Sequence, residues 1–507
     1  MHLASNIGHL RSVFKHPSTN NYKAEPMNLD QIFNSAHEAF LTYKNLSGAT
    51  KADFLDKIAE ILEENRSAIV PMAVRESNLA EGRINGELGR TTGQIKLFAN
   101  LLREGSWVEA TVDPADPNRS PLPKADIRRM LTPLGPVVVF GASNFPLAFA
   151  TAGSDTISAL AAGCPVVYKG HPAHPDTSKF VGTCISQAAQ KSGLPPGIFT
   201  HVAGGIKTGQ DLVKHPLAKA VGFTGSFRAG KSLFNIAGKR DQPIPVYAEM
   251  GSVNPIFAFP KRLKNELVPL AQSFVGSLTL GAGQFCTNPG LIFVPRTLAE
   301  RFGNAISDAI QEVAAAPMLH EGIAESYYKS LNELQLRSEL EWVKVPDAKH
   351  LINASPALAE ISAADWMGDN FFQKEVFGSF ALMVVYENTT ELMAVAEKLH
   401  GQLTISLWGD NDELSAHKEF INLLEEKCGR LLFRGVPTGV EVGYAMQHGG
   451  PFPATMDSRS TSVGAHAIKR FARPIAFQDM PQELLPDALK DENPLGIMRQ
   501  VNGKFEV

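Results

Sequence analysis

Apolar residues recur at helical spacing early in the chain. Phe54, Ile58, Ile61, Leu62 and Ile69 share one face, with Asp56, Glu60, Glu63 and Glu64 elsewhere. The pattern predicts an amphipathic helix. A second, more polar helix is predicted through Glu87 and Arg90 toward Leu97, Phe98, Leu101 and Leu102. The periodicity is lost between Asp113 and Pro136, where five prolines precede Pro136 and Ala125-Asp-Ile-Arg-Arg-Met-Leu alternates. That block reads as a loop plus an extended arm or hairpin.

From Val137 onward short apolar runs alternate with helical stretches. Strands are predicted at Val137 to Gly141, Val166 to Lys169, Ile198 to Val202, Ala220 to Thr224 and Pro245 to Met250. Between them lie helices at Leu147 to Ala162, Thr177 to Lys191, Gln210 to Lys214 and Ser226 to Gly238. Strict alternation implies a parallel sheet with right-handed crossovers. Such sheets bind ligands beyond the carboxyl ends of their strands, so the loops after these strands are the expected functional ones. A second mixed α/β region follows, and Ile475-Ala-Phe near the end is a candidate strand able to pair with the early arm in the same or another subunit.

A chain of 507 residues exceeds one ordinary core, so two or three domains are expected. The hydrophobic fraction of 44%, the charged fraction of 20% and the net charge of -4 are ordinary for a globular protein, and none points to nucleic acid or an anionic membrane as partner. Cys164, Cys184, Cys286 and Cys428 are far apart and form no CxxC pair, which argues against a disulfide framework or a thiolate metal site. With no signal-like N-terminus and no apolar run long enough to span a bilayer, a cytoplasmic location is expected.

Five segments carry candidate chemistry. Cys286 sits in Gly283-Gln-Phe-Cys-Thr-Asn-Pro-Gly290, an uncharged, glycine-bounded bend suited to attack on a neutral carbonyl carbon. Asn144 follows the first strand of the sheet, where an amide can hold an oxyanion. Glu249 closes another strand in apolar company and is a candidate general base with a raised pKa. Gly222-Phe-Thr-Gly-Ser226, with Gly230 beyond, leads a glycine turn into a helix start that suits a phosphate. Glu375, in Glu-Val-Phe-Gly378, is placed to hold ribose hydroxyls.

Taken in order, Asn144-Phe-Pro, Gly222-Phe-Thr-Gly-Ser, Glu249-Met-Gly, Gly283-Gln-Phe-Cys286 and Glu375-Val-Phe-Gly closely resemble the signatures of the NAD(P)-dependent aldehyde dehydrogenases, over essentially the whole chain. The resemblance implies a Rossmann-type parallel-sheet cofactor domain (1–118 and 136–251), an α/β catalytic domain (252–447) and a small β oligomerisation arm (119–135 and 468–490). It implies that Cys286 is the nucleophile, that Asn144 and the Cys286 amide form the oxyanion hole, and that Glu249 activates the hydrolytic water. Lys169, Gly225, Ser226 and Gly230 would face the cofactor's adenosine and phosphates, Glu375 its nicotinamide ribose, and Phe377 would flank it. Phe145 and Phe452 fall on the substrate side. No metal is expected, and the assembly implied is a homodimer or homotetramer.

One departure bears on the cofactor. NAD-preferring members carry a glutamate three residues past the strand lysine, whereas Lys169-Gly-His-Pro172 places a proline there. Without that carboxylate a 2′-phosphate is not repelled, and Lys169, His171 and Lys207 are candidates to meet it, so NADP is favoured over NAD. Gly170-His-Pro-Ala-His-Pro, the Cys286 segment and Pro453-Ala-Thr-Met-Asp-Ser-Arg are most similar to the 2-oxoglutarate semialdehyde (2,5-dioxopentanoate) dehydrogenases, with fatty-aldehyde enzymes as the alternative subgroup. The small-molecule partner is then an aldehyde oxidised to its acid. Retention of Cys286 and Glu249 disfavours a catalytically silent binding or structural protein, and retention of Glu249 disfavours a coenzyme-A-acylating one.

Overall fold

The computed structural model describes residues 28–347 and 352–507. The chain enters through α1 (Leu29–Tyr43), α2 (Gly48–Glu64), α3 (Arg66–Ser77) and α4 (Glu81–Glu104). Ser47 caps α2 by accepting the Thr50 amide. The apolar face expected as one helix is split between two. Phe54, Ile58, Ile61 and Leu62 are buried on α2, while Ile69 belongs to α3. The break falls at Asn65, whose side-chain amide donates to the Ile61 carbonyl at 2.8 Å, a local bond that competes with helix continuation. On α4, Ile84, Leu88, Ile95, Phe98 and Leu102 are buried, and so is Glu87.

The expected arm forms a separate sheet. Strand β1 (Thr111–Asp113) pairs antiparallel with β2 (Ile127–Pro133), and Ala472–Gln478 pairs along the whole of β2 with Ile475 opposite Met130. The early arm and the late strand therefore satisfy each other within one chain. Arg499–Val501 and Lys504–Glu506, two tail strands with no clear sequence pattern, complete five strands.

Alternation from Val137 builds a second, all-parallel sheet. Its elements are β3 (Val137–Phe140), α5 (Ser154–Ala162), β4 (Val166–Lys169), α6 (Pro175–Lys191), β5 (Phe199–Val202), α7 (Ile206–Lys214), β6 (Ala220–Thr224), α8 (Phe227–Gly238) and β7 (Val246–Glu249). The order β5-β4-β3-β6-β7 places the reversal of winding beside β3, so a crevice opens beyond the carboxyl ends of β3 and β6. One predicted helix is much shorter than expected. α5 starts at Ser154 rather than Leu147, because Glu87 of α4 accepts the amides of Leu147 and Ala148 at 2.9 Å each and holds that stretch in turns.

The third sheet has seven strands. Strands β8 (Ile256–Ala258) and β9 (Leu291–Pro295) run parallel with Phe380–Tyr386, Ala357–Ser362, Gln402–Trp408 and Cys428–Phe433, and Glu341–Lys344 closes one edge antiparallel. Phe380–Tyr386 and Gln402–Trp408 are buried at every position, as expected of strands covered on both faces. No helix among the described residues is long and apolar enough to cross a membrane.

Candidate active site

The Cys286 bend is built by a forced change of direction. Helix Leu267–Thr279 ends, and Gly281, Ala282 and Gly283 take φ values of 57°, 55° and 69°. Gly283 is needed twice over: its φ is left-handed, and a side chain there would overlap the carbonyl of Gly378. Two buried asparagines then fix the bend. The Asn254 amide donates to the carbonyls of Cys286 (2.8 Å) and Asn288 (2.9 Å), and the Asn288 amide donates to Gly378 (3.1 Å).

Glu249, at the end of β7, is brought to the thiol together with a residue the sequence reading did not single out. The segment after Gly450 lies along β7: Met250 donates to Ala454 at 2.8 Å, Met456 to Ala248 at 3.1 Å, and Glu249 bridges Thr455. This pairing carries His448 into the site, where its backbone amide donates to Thr461 Oγ1 at 2.8 Å. His448 Nε2 lies 2.9 Å from Glu249 Oε1 and 3.5 Å from Cys286 Sγ. Ser462 Oγ donates to the second Glu249 oxygen. The donor atoms of Glu249, Cys286 and His448 all lie within 4.8 Å of one another.

The electrostatics correct one expectation. Burial by itself would raise the Glu249 carboxyl. The His448 charge, with hydrogen bonds from His448, Ser462 and Cys286, outweighs burial and holds the group below its ordinary value, not above it. The thiol moves the other way. Burial, the Glu249 charge and hydrogen bond, and the Glu375 charge push Cys286 well up, and Arg90 opposes them. Burial and the neighbouring negative charges thus favour the protonated sulfur, beside the Glu249–His448 pair. The signal that could have found His448 is Gln447-His-Gly-Gly-Pro, a histidine before paired glycines just upstream of the Phe-Pro-Ala-Thr segment, combined with the need of a cysteine nucleophile for a nearby base.

Asn144 is buried in the loop after β3, and its side-chain amide donates one hydrogen to the Gln284 carbonyl at 3.0 Å, two residues before Cys286. An amide nitrogen has two hydrogens, so the second is free for an oxyanion. Arg83 of α4 steadies this loop by donating to the Asn144 carbonyl at 2.8 Å. Phe145 packs edge-on against Phe149 and Phe285, centroids 5.2 and 5.3 Å apart, and forms an aromatic wall joining the Asn144 loop to the residue before Cys286. Phe452 is not part of that wall. It is 55% exposed and meets Phe227 and Lys231 at the start of α8, which moves it from the substrate side to the sheet's ligand edge.

The cofactor candidates gather at that edge. Lys169 ends β4, half-buried, and burial alone pulls its amine below its ordinary value. Ser226 caps α8, and its exposed N-terminus presents backbone amides. Gly230 lets α8 approach closely, since a side chain there would strike Met250 and Phe223, whereas the Gly225 amide is already given to the Glu249 carbonyl at 3.1 Å. Glu375 and Phe377 line a cavity with Ser252, Gly283 and Phe285. Burial pushes the Glu375 carboxyl up to about 7, against one backbone hydrogen bond from Ser252, so it has spare acceptor capacity suited to hydroxyls. One expected cation is corrected, and a second is exposed and shared with an acid. Burial and the charges of His174, Lys169 and His320 push His171 down to about 3, so the unliganded ring is neutral. Lys207 is 86% exposed and paired with Asp211 at 2.6 Å.

The structure thus brings a thiol, a side-chain amide and a glutamate–histidine pair together beside a parallel-sheet crevice. The family model for the "Aldehyde dehydrogenase family" matches residues 13–324. The chain belongs to the aldehyde dehydrogenase family. Aldehyde dehydrogenases oxidise aldehydes to acids, and this one uses a nicotinamide cofactor. The aldehyde dehydrogenase chain is 46% identical over 478 residues to an alpha-ketoglutaric semialdehyde dehydrogenase of Acinetobacter baylyi, covering 94% of this chain and 91% of that one. It is 46% identical to alpha-ketoglutaric semialdehyde dehydrogenase 2 of Azospirillum brasilense, covering 93% and 90%. Among solved structures, a betaine aldehyde dehydrogenase mutant of Staphylococcus aureus in complex with NAD+ superposes with TM-score 0.74 at 18% identity, covering 89% and 90%. A 3,6-anhydro-L-galactose dehydrogenase in complex with NAP gives 0.75 at 18% identity, covering 89% and 91%, so both likenesses bear on the fold alone.

Proposed function

We propose that this aldehyde dehydrogenase oxidises 2-oxoglutarate semialdehyde to 2-oxoglutarate. The observation that carries the substrate is identity of 46%, over nine-tenths of the chain, to two enzymes named for that aldehyde. The site residues have matching roles. Cys286 Sγ bonds to the aldehyde carbon as its proton passes to the His448–Glu249 pair, and the carbonyl oxygen, now negative, is held by Asn144 Nδ2 and the Cys286 amide. Bound nicotinamide supplies the acceptor for the hydride that leaves the adduct. Lys169, Ser226 and the start of α8 hold the adenosine half, and Glu375 and Phe377 the nicotinamide half. The adduct collapses to a thioester on Sγ. The pair passes the thiol's proton to solvent; Glu249 then takes a proton from water, the hydroxide adds to the thioester carbonyl, the carbon–sulfur bond breaks, and sulfur regains a proton from Glu249 as the acid departs.

The substrate reading is tested by comparing kcat/KM for 2-oxoglutarate, glutaric, succinic and long-chain aldehydes. We expect 2-oxoglutarate semialdehyde to lead; a long-chain aldehyde leading the panel would replace this reading with the fatty-aldehyde one.

NADP is the preferred cofactor in this reading. Lys169, half-buried at the end of β4, is the favoured cation for the 2′ position, with Lys207 exposed and shared with Asp211 and the unliganded His171 neutral, and Pro172 brings no carboxylate to repel a phosphate. Pro172→Glu should raise KM for NADP and lower it for NAD. A charge-assisted contact is worth about 1.5–3 kcal/mol, so the preference ratio should shift roughly ten-fold or more. An unchanged ratio in the folded variant, checked by its melting temperature, would remove the loop from cofactor choice.

Residues 1–118 and 136–251 form the cofactor domain in this account, 252–447 the catalytic domain, and 119–135 with 468–490 an arm that joins copies into a homodimer or homotetramer. Support for assembly comes from the outer edge of Ala472–Gln478, which ends its sheet without a further strand among the described residues.

A further inference from the structure

Arg83, Glu87 and Arg90 follow one another at helical spacing on α4, facing the Asn144 loop. Arg83 and Glu87 are each held by short hydrogen bonds, although Arg83 Nη1 and Glu87 Oε2 have no partner among the described residues. Arg83 donates to the Asn144 carbonyl, and its guanidinium stacks between Phe145 and Phe285 at 4.9 and 4.5 Å. Glu87 is bound by the Leu147 and Ala148 amides. Arg90 is different. Among the described residues its hydrogen bond is a long one, Nη2 to the Val440 carbonyl at 3.4 Å, and Nη1 is buried with no partner. An unmatched buried donor on a charged group is costly, and a guanidinium presents two parallel N–H groups suited to a carboxylate.

Arg90 is also near the chemistry. Burial lowers its pKa, and the charges of Glu87, Cys286, Glu249 and Glu441 oppose that, so its field reaches both the nucleophile and the base. Its Cζ lies 5.3 Å from the Phe149 ring centroid, and Phe149 sits 6.2 Å from the His448 ring. Phe145, Phe149, Val440, Val442 and Met446 form an apolar cluster around this approach. Arg430, whose field also reaches Cys286, is tied to the carbonyls of Pro437 and Gly439 at 2.9 and 3.1 Å. Arg83 and Arg430 each also keep one buried nitrogen without a partner, but Arg90, whose hydrogen bond is the long one, is the most weakly held of the three among the described residues.

We propose that Arg90 receives the carboxylate at the far end of the substrate while the aldehyde end meets Cys286, making it the residue that selects carboxylated semialdehydes over neutral aldehydes. The inference rests on the semialdehyde reading above. The apolar wall then carries the intervening carbons, and the arriving carboxylate supplies the partner that Nη1 lacks.

The test compares glutaric semialdehyde with pentanal, two five-carbon aldehydes that differ in the terminal carboxylate. Wild type, Arg90→Met and Arg90→Lys are measured with saturating cofactor, each normalised to its burst of reduced cofactor with pentanal so that only competent sites count. Wild type should prefer glutaric semialdehyde. In Arg90→Met the ratio of kcat/KM values should fall by about 10- to 100-fold, mainly through KM for the semialdehyde, with Arg90→Lys between. Loss of the Arg90 charge at the thiol lowers both substrates together and cancels in the ratio. If both fall equally and the ratio holds, Arg90 acts through the thiol or the Asn144 loop and the proposal is overturned. If wild type already shows no preference for the carboxylated aldehyde, the substrate reading itself fails and takes this assignment with it.

Discussion

Cys286→Ser should abolish aldehyde oxidation while leaving the fold intact. Steady-state turnover is expected to fall by roughly 10⁴-fold or more, because a hydroxyl is far harder to ionise than a thiol even beside the His448–Glu249 pair. Geometry makes the substitution a clean one. The bend is fixed by the Asn254 and Asn288 amides on backbone carbonyls and by Gly283, not by the cysteine side chain. The variant should therefore melt near wild type. Turnover close to normal in the folded variant would remove Cys286 from the mechanism.

Glu249→Gln should separate the two halves of the reaction. Hydride departure needs the adduct on Cys286, whereas hydrolysis needs a base for water. Steady-state turnover should fall about 10²- to 10⁴-fold, the usual contribution of a general base, while a single-turnover burst of reduced cofactor persists. The pH dependence has a definite sign. The Glu249 charge and hydrogen bond are among the causes that raise the thiol, so their removal should let Cys286 ionise at lower pH than in wild type. The rate of alkylation by iodoacetamide against pH should shift accordingly. A lost burst with an alkylation profile moved toward higher pH would mean that the thiol cannot ionise without Glu249, and would overturn its assignment to the hydrolytic half alone.

Much of the candidate site was legible because it lies in loops directly after strands. Asn144, Lys169, Ser226 and Glu249 occupy the carboxyl ends of a strictly alternating pattern, and the sequence around Cys286 signals an accessible bend. What pattern reading missed depends on contacts between distant segments. His448 reaches Glu249 across 199 residues because the stretch after Gly450 lies along β7, and no local periodicity reports that pairing. The pKa direction of Glu249 reverses for the same reason: its partners His448 and Ser462 arrive from the far end of the chain. Phe452 is displaced to the sheet's ligand edge by the same segment. Arg90 belongs to a helix whose existence was plain, but its unmatched nitrogen appears only when the Asn144 loop and Val440 are folded against it. The early helical face split at Asn65 because one side-chain hydrogen bond outweighed a continuous apolar stripe.

The central claim is that the acid is formed through a thioester on Cys286 and released by Glu249. The most direct measurement is intact-protein and peptide mass spectrometry of Glu249→Gln, quenched in acid after one turnover with 2-oxoglutarate semialdehyde and NADP. The account predicts a 2-oxoglutaryl adduct on the peptide carrying Cys286, in amount matching the reduced cofactor formed. Reduced cofactor and free 2-oxoglutarate appearing together, with Cys286 unmodified throughout, would contradict it.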